Sequence, residues 1–222
     1  MISVGAPTDV AEVKHRPKLR GLSHSIAFVL ALVAGAVLLS QPTSGNARAG
    51  AIAYIVCAAT MFGTSGAYHF ITWNHRVLAV IRRVDHAGVF LMIAGSYTAY
   101  WTLMPPGAVS TLPLFIMWGC CGVGAVTFAS WTNMPRRLRA VIYSATGLSS
   151  IPLVLKLPLA IGGVNTLWVA FASAVYVAGS VVYAVRWPNP NPKWFGYHEF
   201  FHLMVVAAAA IQYFVLLSAH AH

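Results

Sequence analysis

Long apolar runs alternate with short polar segments along almost the whole chain. Seven runs come close to the roughly 20 apolar residues that a helix needs to cross the hydrocarbon of a bilayer. The first run is longer than the apolar core of a signal peptide, so we expect it to be a retained span. The pattern predicts an all-α membrane protein, a bundle of seven transmembrane helices. A basic tail at 1–20 precedes the transmembrane domain at 21–222, whose spans lie at about 22–40, 50–72, 85–105, 109–131, 138–157, 164–186 and 198–218.

Composition supports a lipid environment. Of the 222 residues, 59% are hydrophobic and only 8% are charged, whereas about a quarter of the residues of a soluble domain are charged. The three cysteines, Cys57, Cys120 and Cys121, all lie inside apolar runs. We expect them to be core residues, because they form neither a disulfide framework nor a Cys-x-x-Cys metal pattern.

The basic residues indicate which loops face the cytoplasm. All but two of the 14 Lys and Arg residues lie in the N-terminal tail and in alternate loops, and the exceptions are Arg48 and Lys156. Positive residues are enriched in cytoplasmic loops. The bias predicts a cytoplasmic N-terminus and, after seven crossings, a C-terminus outside. It also accounts for the net charge of +10, so no nucleic-acid partner is predicted.

Polar residues within the apolar runs gather at one predicted depth. Ser65 and His69 lie near the end of the second run, Asp85 begins the third, and His198 and His202 begin the seventh. Under the predicted orientation all five lie near the cytoplasmic face. Ionisable groups at membrane depth are costly, so these residues are functional candidates.

The spacing of the histidines favours a metal site. His198 and His202 are four residues apart and therefore share a helix face. Zinc binds imidazole nitrogens, and a catalytic zinc has three protein ligands and a water. We expect His69, His198 and His202 to bind zinc, with Asp85 left to hold the water. The simpler alternatives are a helix N-cap for Asp85 and a small packing residue for Ser65.

The segment HEFFH, which starts at His198, also fits the H-E-x-x-H signature of zinc metalloproteases, in which Glu is the general base. A soluble enzyme of that class has its third ligand downstream, but no carboxylate follows His202. We therefore interpret Glu199 as an acid at the start of a helix. The role of His86 stays open, because it points about 100° away from Asp85 on a helix and the two are not expected to face one centre.

Three segments resemble the motifs of the hemolysin III family, the bacterial branch of the progestin and adipoQ receptor group, in a superfamily that includes the alkaline ceramidases. The resemblance covers nearly the whole chain. It implies a seven-helix bundle with zinc near the cytoplasmic face, bound by the same three histidines, with Ser65 and Asp85 beside the water. One departure is Ala99, where relatives often have proline. The segments are SGAYH at 65–69, DH at 85–86 followed by AGSYT at 94–98, and HEFFH at 198–202.

Two classes of function are predicted. The first is a zinc-dependent hydrolase of a membrane lipid amide or ester, similar to a ceramidase, in which Asp85 accepts a proton and Ser65 donates to the substrate carbonyl or oxyanion. The second is a non-enzymatic regulator or receptor-like protein with structural zinc. An intramembrane metalloprotease, a haem protein and a pore-former are less favoured. The expected location is the bacterial cytoplasmic membrane, with lipid as the partner and no prediction of oligomeric state.

Overall fold

A computed structural model describes residues 17–43, 45–131 and 133–221. In this part of the chain, an isolated bridge between Asn191 and Phe195 is the only β feature. The rest of the regular structure is helical. The helices are α1 (Leu22–Leu39), α2 (Gly45–Phe70), α3 (His75–Thr102), α4 (Leu112–Ser130), α5 (Arg136–Leu148), α6 (Ile151–Val154), α7 (Pro158–Val185) and α8 (Tyr197–His220).

Each of the seven apolar runs overlaps a helix, which confirms an all-α membrane protein. Five helices, α1, α2, α4, α7 and α8, are long and apolar enough to cross a membrane. Helix α3 carries three arginines before its apolar part, and α5 has only 13 residues. Seven crossings and the orientation of the termini therefore stay predictions.

The fifth run, predicted as one span, is divided between α5 and α6. The hydroxyl groups of Ser149 and Ser150 donate to the backbone oxygens of Thr146 and Gly147, at 2.7 Å each. Such bonds compete with the helical ladder, and Pro152 has no N–H to continue it. The chain then enters α7, which is interrupted at Gly162 by a non-helical backbone conformation with φ 75°. This break lies within the loop expected between the fifth and sixth spans.

The helices form a ring. Along it, α4, α3, α2 and α1 follow one another, α8 packs between α1 and α7, and α5 packs on α7. The outer faces are apolar: Val123 and Leu167 are 69% and 70% exposed, as side chains that face lipid should be. Cys120 is also exposed, on α4, so its expected place in the core is wrong. Cys57 and Cys121 are buried.

The segment before α1 is held against the connector between α7 and α8. Residues 1–16 of the predicted tail lie outside the described residues. The backbone N–H groups of Lys18 and Leu19 donate to the oxygens of Lys193 and Trp194, both at 3.1 Å. The proline-rich connector at 188–192 is not helical, as its composition predicts.

Candidate metal centre

Two helix ends bring three histidines together. His69 lies in the last turn of α2, and His198 and His202 occupy the first two turns of α8. One ring nitrogen of each histidine lies within 4.8 Å of those of the other two. His202 is buried, and the other two are half-buried. The end of the bundle that these residues mark is called the histidine end below.

The geometry of the three histidines suits a single metal ion. The Nε2 atoms of His69 and His198 are 3.2 Å apart, close to the ~3.3 Å between two nitrogens on a tetrahedral zinc with Zn–N distances of 2.0–2.1 Å. The ring of His202 lies 4.5 Å from that of His198 and 5.1 Å from that of His69, centroid to centroid. Three neutral imidazoles that converge in this way could hold a metal.

Asp85 and Ser65 lie beside this group but do not belong to it. The Ser65 hydroxyl approaches the Asp85 carboxylate closely enough to act as a hydrogen-bond donor. Ser65 is buried and Asp85 half-buried, and both line the same cavity as the histidines.

The alternative that Asp85 caps a helix is wrong. Helix α3 begins at His75, and its cap is Asn74, whose side chain accepts a hydrogen bond from the Val77 N–H at 3.0 Å. The apolar run begins later than the helix, because arginines on the first turns of α3 are compatible with helix but not with a hydrophobic span. Asp85 therefore lies well inside α3, where its side chain lines the cavity.

Glu199 faces away from the histidines. Its carboxylate pairs with the side chain of Arg20 and accepts the Gly196 N–H at 2.9 Å. The second bond is half of a capping box, which satisfies a free donor at the start of α8. Glu199 is only 3% exposed. The interpretation of Glu199 as a helix-start acid is confirmed, and the ion pair is an addition that the sequence did not reveal.

His24 lies beside the candidate ligands and was not predicted from the sequence. Its ring stacks on that of His202, with centroids 3.8 Å apart and planes 15° apart. His24 is 3% exposed. One ring nitrogen approaches the backbone of His202, but neither forms a hydrogen bond of normal geometry with a described residue. Its position could have indicated a role, because His24 lies in the first turn of α1, at the same end of the bundle as the other three histidines.

Arg139 was also missed, because it was counted only as a loop charge. It is 7% exposed, and its Nη1 lies 3.0 Å from Nε2 of His86 and 3.3 Å from the hydroxyl of Tyr183. A guanidinium has no acceptor, so it must donate to both. Tyr143 in turn donates to the backbone oxygen of His86 at 2.7 Å. His86 thus lines the same cavity as Asp85, and its hydrogen bonds are to Arg139 and Tyr143 of α5.

A cavity of about 620 Å³ runs inward from the histidine end. Its mouth is lined by the histidines, Asp85 and several arginines, and its walls further in are largely apolar. Helix α4 contributes nothing to this lining. A volume of this size is typical of sites for small organic ligands.

Comparison with known proteins gives similarities over most of the chain. The family model for haemolysin-III related proteins matches residues 13–213. Among curated proteins, the chain is 25% identical over 179 residues to progestin and adipoQ receptor-like protein 1 of Caenorhabditis elegans, which covers 71% of the chain and 40% of that protein. It is 22% identical over 182 residues to the adiponectin receptor protein of Drosophila melanogaster, covering 72% and 40%.

A plant relative is matched over more of its length. The chain is 27% identical over 188 residues to the heptahelical transmembrane protein ADIPOR2 of Oryza sativa subsp. japonica, which covers 72% of the chain and 77% of that protein. In contrast, the chain spans about 40% of the length of the worm and fly relatives. Because the family model matches nearly the whole sequence, the chain belongs to the haemolysin-III related family of membrane proteins.

Proposed function

We propose that this protein is a zinc-dependent hydrolase that acts on an amide or ester bond of a membrane lipid. The observation that carries the proposal is the convergence of His69, His198 and His202 at the mouth of an apolar cavity. Three histidine ligands leave a fourth position for water, as in catalytic zinc sites. Zinc bound there would supply a Lewis acid and a water that ionises near neutral pH.

The chain's own residues would orient the reacting groups. Asp85 lies on the cavity wall beside the histidines, where its carboxylate would accept a proton. Ser65 approaches that carboxylate and would hold its orientation by donating to it. A direct bond from Ser65 to the substrate carbonyl, predicted from the sequence, stays a prediction.

The cavity supports a lipid substrate. Much of its wall consists of apolar side chains of α2, α3, α7 and α8, including Met61, Met92, Val177 and Val205. An acyl chain buried there would gain about 25 cal/mol for each Å² of apolar surface removed from water. The mouth carries Arg82, which suits a polar headgroup.

We place the protein in the bacterial cytoplasmic membrane with the histidine end toward the cytoplasm.

The metal is tested first by elemental analysis of purified protein. We expect about one zinc per chain in the wild type and loss of most of it in His69→Ala, His198→Ala and His202→Ala, because each removes one of three ligands. His75→Ala is the matched control, since His75 is exposed at the start of α3. A wild type that binds no metal, or a control that loses it equally, contradicts the site.

The reaction is tested with metal-loaded protein and a panel of lipid amides and esters, with products followed by mass spectrometry. Asp85→Asn should keep zinc and lower product formation by about 10²–10⁴-fold, the usual contribution of a general base. Products that are identical in amount for wild type and variant would exclude Asp85 from this role. No product from any lipid would exclude the hydrolase.

The second candidate is a non-enzymatic regulator with structural zinc. One observation favours it: α2 and α8 have few other contacts, among them the hydrogen bond from Tyr54 to the Ala209 backbone oxygen. A metal shared by His69 and the two histidines of α8 would therefore strengthen their connection. In that case metal removal would lower the unfolding temperature strongly, and no lipid would be cleaved. A hydrolase would instead lose turnover on metal removal with a smaller loss of stability.

A further inference from the structure

A second group of polar side chains lies at the inner end of the cavity. Ser96 donates to Oε1 of Gln212 at 3.1 Å, and Tyr100 donates to the Gln212 backbone oxygen, also at 3.1 Å. Gln212 is 6% exposed. Polar groups at membrane depth are costly and tend to mark functional positions. This inner polar group consists of Ser96, Tyr100, Tyr176 and Gln212, all of which line the cavity.

Tyr176 is the member of the group whose hydroxyl forms no hydrogen bond with the other three. Its hydroxyl is buried and has no hydrogen-bond partner among the described residues. It lies close enough to the hydroxyl groups of Tyr54 and Tyr100 to interact with them electrostatically. However, Tyr54 donates to the backbone oxygen of Ala209 at 2.7 Å, and Tyr100 donates to that of Gln212. A buried hydroxyl without a hydrogen-bond partner is unfavourable, so a partner from the cavity's occupant would remove that cost.

The distance between the two polar regions sets the length of such an occupant. Gln212 follows His202 by ten residues on α8, which is ~15 Å along the helix axis. On α7, Tyr183 lies beside His198 with ring centroids 5.9 Å apart, and Tyr176 is seven residues away, ~10 Å along that axis. The wall between the two regions includes the apolar side chains of Met92, Ile93 and Val205. Its hydroxyl groups on α5 and α7, those of Ser144 and Ser180, are hydrogen-bonded to each other at 2.6 Å.

We propose that the inner polar group is a second binding subsite, which recognises a hydroxyl group on the acyl chain of the lipid. The occupant is then an amphiphile with two polar regions separated by about 10–15 Å of hydrocarbon. Tyr176 and Gln212 are the specificity residues, because a site built to hydrogen-bond a hydroxyl discriminates against the chain that lacks it. This inference rests on the proposed lipid substrate and names its class.

The test compares three ligands of equal chain length: dodecanoic acid, its ω-hydroxy derivative and its α-hydroxy derivative. Extended, the twelve-carbon chain is about as long as the separation of the two polar regions. Binding to metal-loaded protein in detergent is measured by native mass spectrometry. We expect wild type to bind the ω-hydroxy acid about tenfold more tightly than the plain acid. The α-hydroxy acid, whose hydroxyl stays near the carboxylate, should bind like the plain acid.

Variants assign the preference to residues. Tyr176→Phe removes the hydroxyl at nearly constant volume, and it should reduce the preference to about twofold or less. Gln212→Leu is a second variant, in case the first fails to fold. Tyr213→Phe is the matched control, because Tyr213 neighbours Gln212 on α8 but does not line the cavity. It should keep the full preference.

Each outcome has a distinct consequence. Equal affinity of wild type for the ω-hydroxy and plain acids overturns the inner subsite but leaves the lipid cavity in place. A preference that survives in both Tyr176→Phe and Gln212→Leu also overturns it, because the hydroxyl is then recognised elsewhere. No binding of any of the three acids overturns the subsite together with the proposed lipid substrate.

Discussion

At the scale of single residues, position within a motif and contacts in the structure lead to different roles for Glu199. In the sequence it occupies the place of a general base between two candidate ligands. In the structure its carboxylate is taken up by Arg20 and by the Gly196 N–H. Both oxygens of this acid are already engaged, one by a cation and the other by a helix N-terminus, and neither is among the atoms that converge with the histidine nitrogens.

Glu199→Gln should therefore leave metal content unchanged and lower stability. The amide can still accept the Gly196 N–H, but it loses the charge that pairs with Arg20, which costs about 1–3 kcal/mol. Elemental analysis and the thermal midpoint in detergent measure the two effects. In a protein that already carries Arg20→Gln, the Glu199→Gln substitution should lower the stability much less. Loss of the metal from Glu199→Gln would restore the metalloprotease interpretation.

His24 is expected to act through its contact with His202. The stacked ring supports one face of His202 and so limits the orientations of a candidate ligand. His24→Ala should weaken metal affinity about tenfold, the lower range for residues that orient metal ligands. His24→Phe keeps a flat ring in the same place and should recover most of that loss. If both variants bind metal like wild type, the contact is packing alone.

At the scale of elements, the start of α1 is tied to the end of α2. Gly21 caps α1 with φ 84°, a left-handed conformation that favours glycine. A Cβ at this position would lie 2.8 Å from Cβ of His69 and 2.8 Å from the backbone N of Phe70. The turn that carries His24 is therefore in van der Waals contact with the turn that carries His69.

Gly21→Ala should destabilise the protein by about 2–5 kcal/mol, from backbone strain and from displacement of α1. Because the displaced turn adjoins His69, metal affinity should fall as well. Gly122→Ala is the control, since a Cβ at Gly122 on α4 meets nothing within 4 Å. Thermal midpoints and metal titration of the two variants decide the matter. Equal behaviour of both would show that the α1–α2 contact adapts at little cost.

At the scale of the whole molecule, four arginines and the candidate histidine ligands lie at one end of the ring. Arg20, Arg82, Arg136 and Arg139 line the mouth of the same cavity as the candidate ligands. The orientation prediction used the basic residues and not the histidines. With the positive-inside rule, their common location predicts that the cavity mouth faces the cytoplasm.

Reporter fusions test this orientation. Alkaline phosphatase, which is active only outside the cytoplasm, should be active when fused after α8 and inactive when fused in the loop between α2 and α3. A cytosolic fluorescent reporter at the same two positions should give the opposite result. Matching activities at both positions would contradict an odd number of crossings between them, and the reverse pattern would invert the proposed orientation.

The sequence by itself determined the apolar helical runs, the membrane environment and the candidate ligands His69, His198 and His202, but not His24 or Arg139. Helices that face lipid must be apolar, so their apolar runs can be recognised from the sequence alone. The few ionisable residues within such runs are recognised just as easily. The division between α5 and α6 was missed because hydrophobicity does not report local serine bonds that interrupt a helix.

Only the tertiary structure decided which polar groups meet. The stacking of His24 on His202, the pairing of Glu199 with Arg20 and the approach of Arg139 to His86 each join residues that are far apart in the sequence. No local pattern encodes these contacts, because they depend on the order of helices around the ring and on the rotation of each about its axis. The same holds for the inner polar group, whose residues come from α3, α7 and α8.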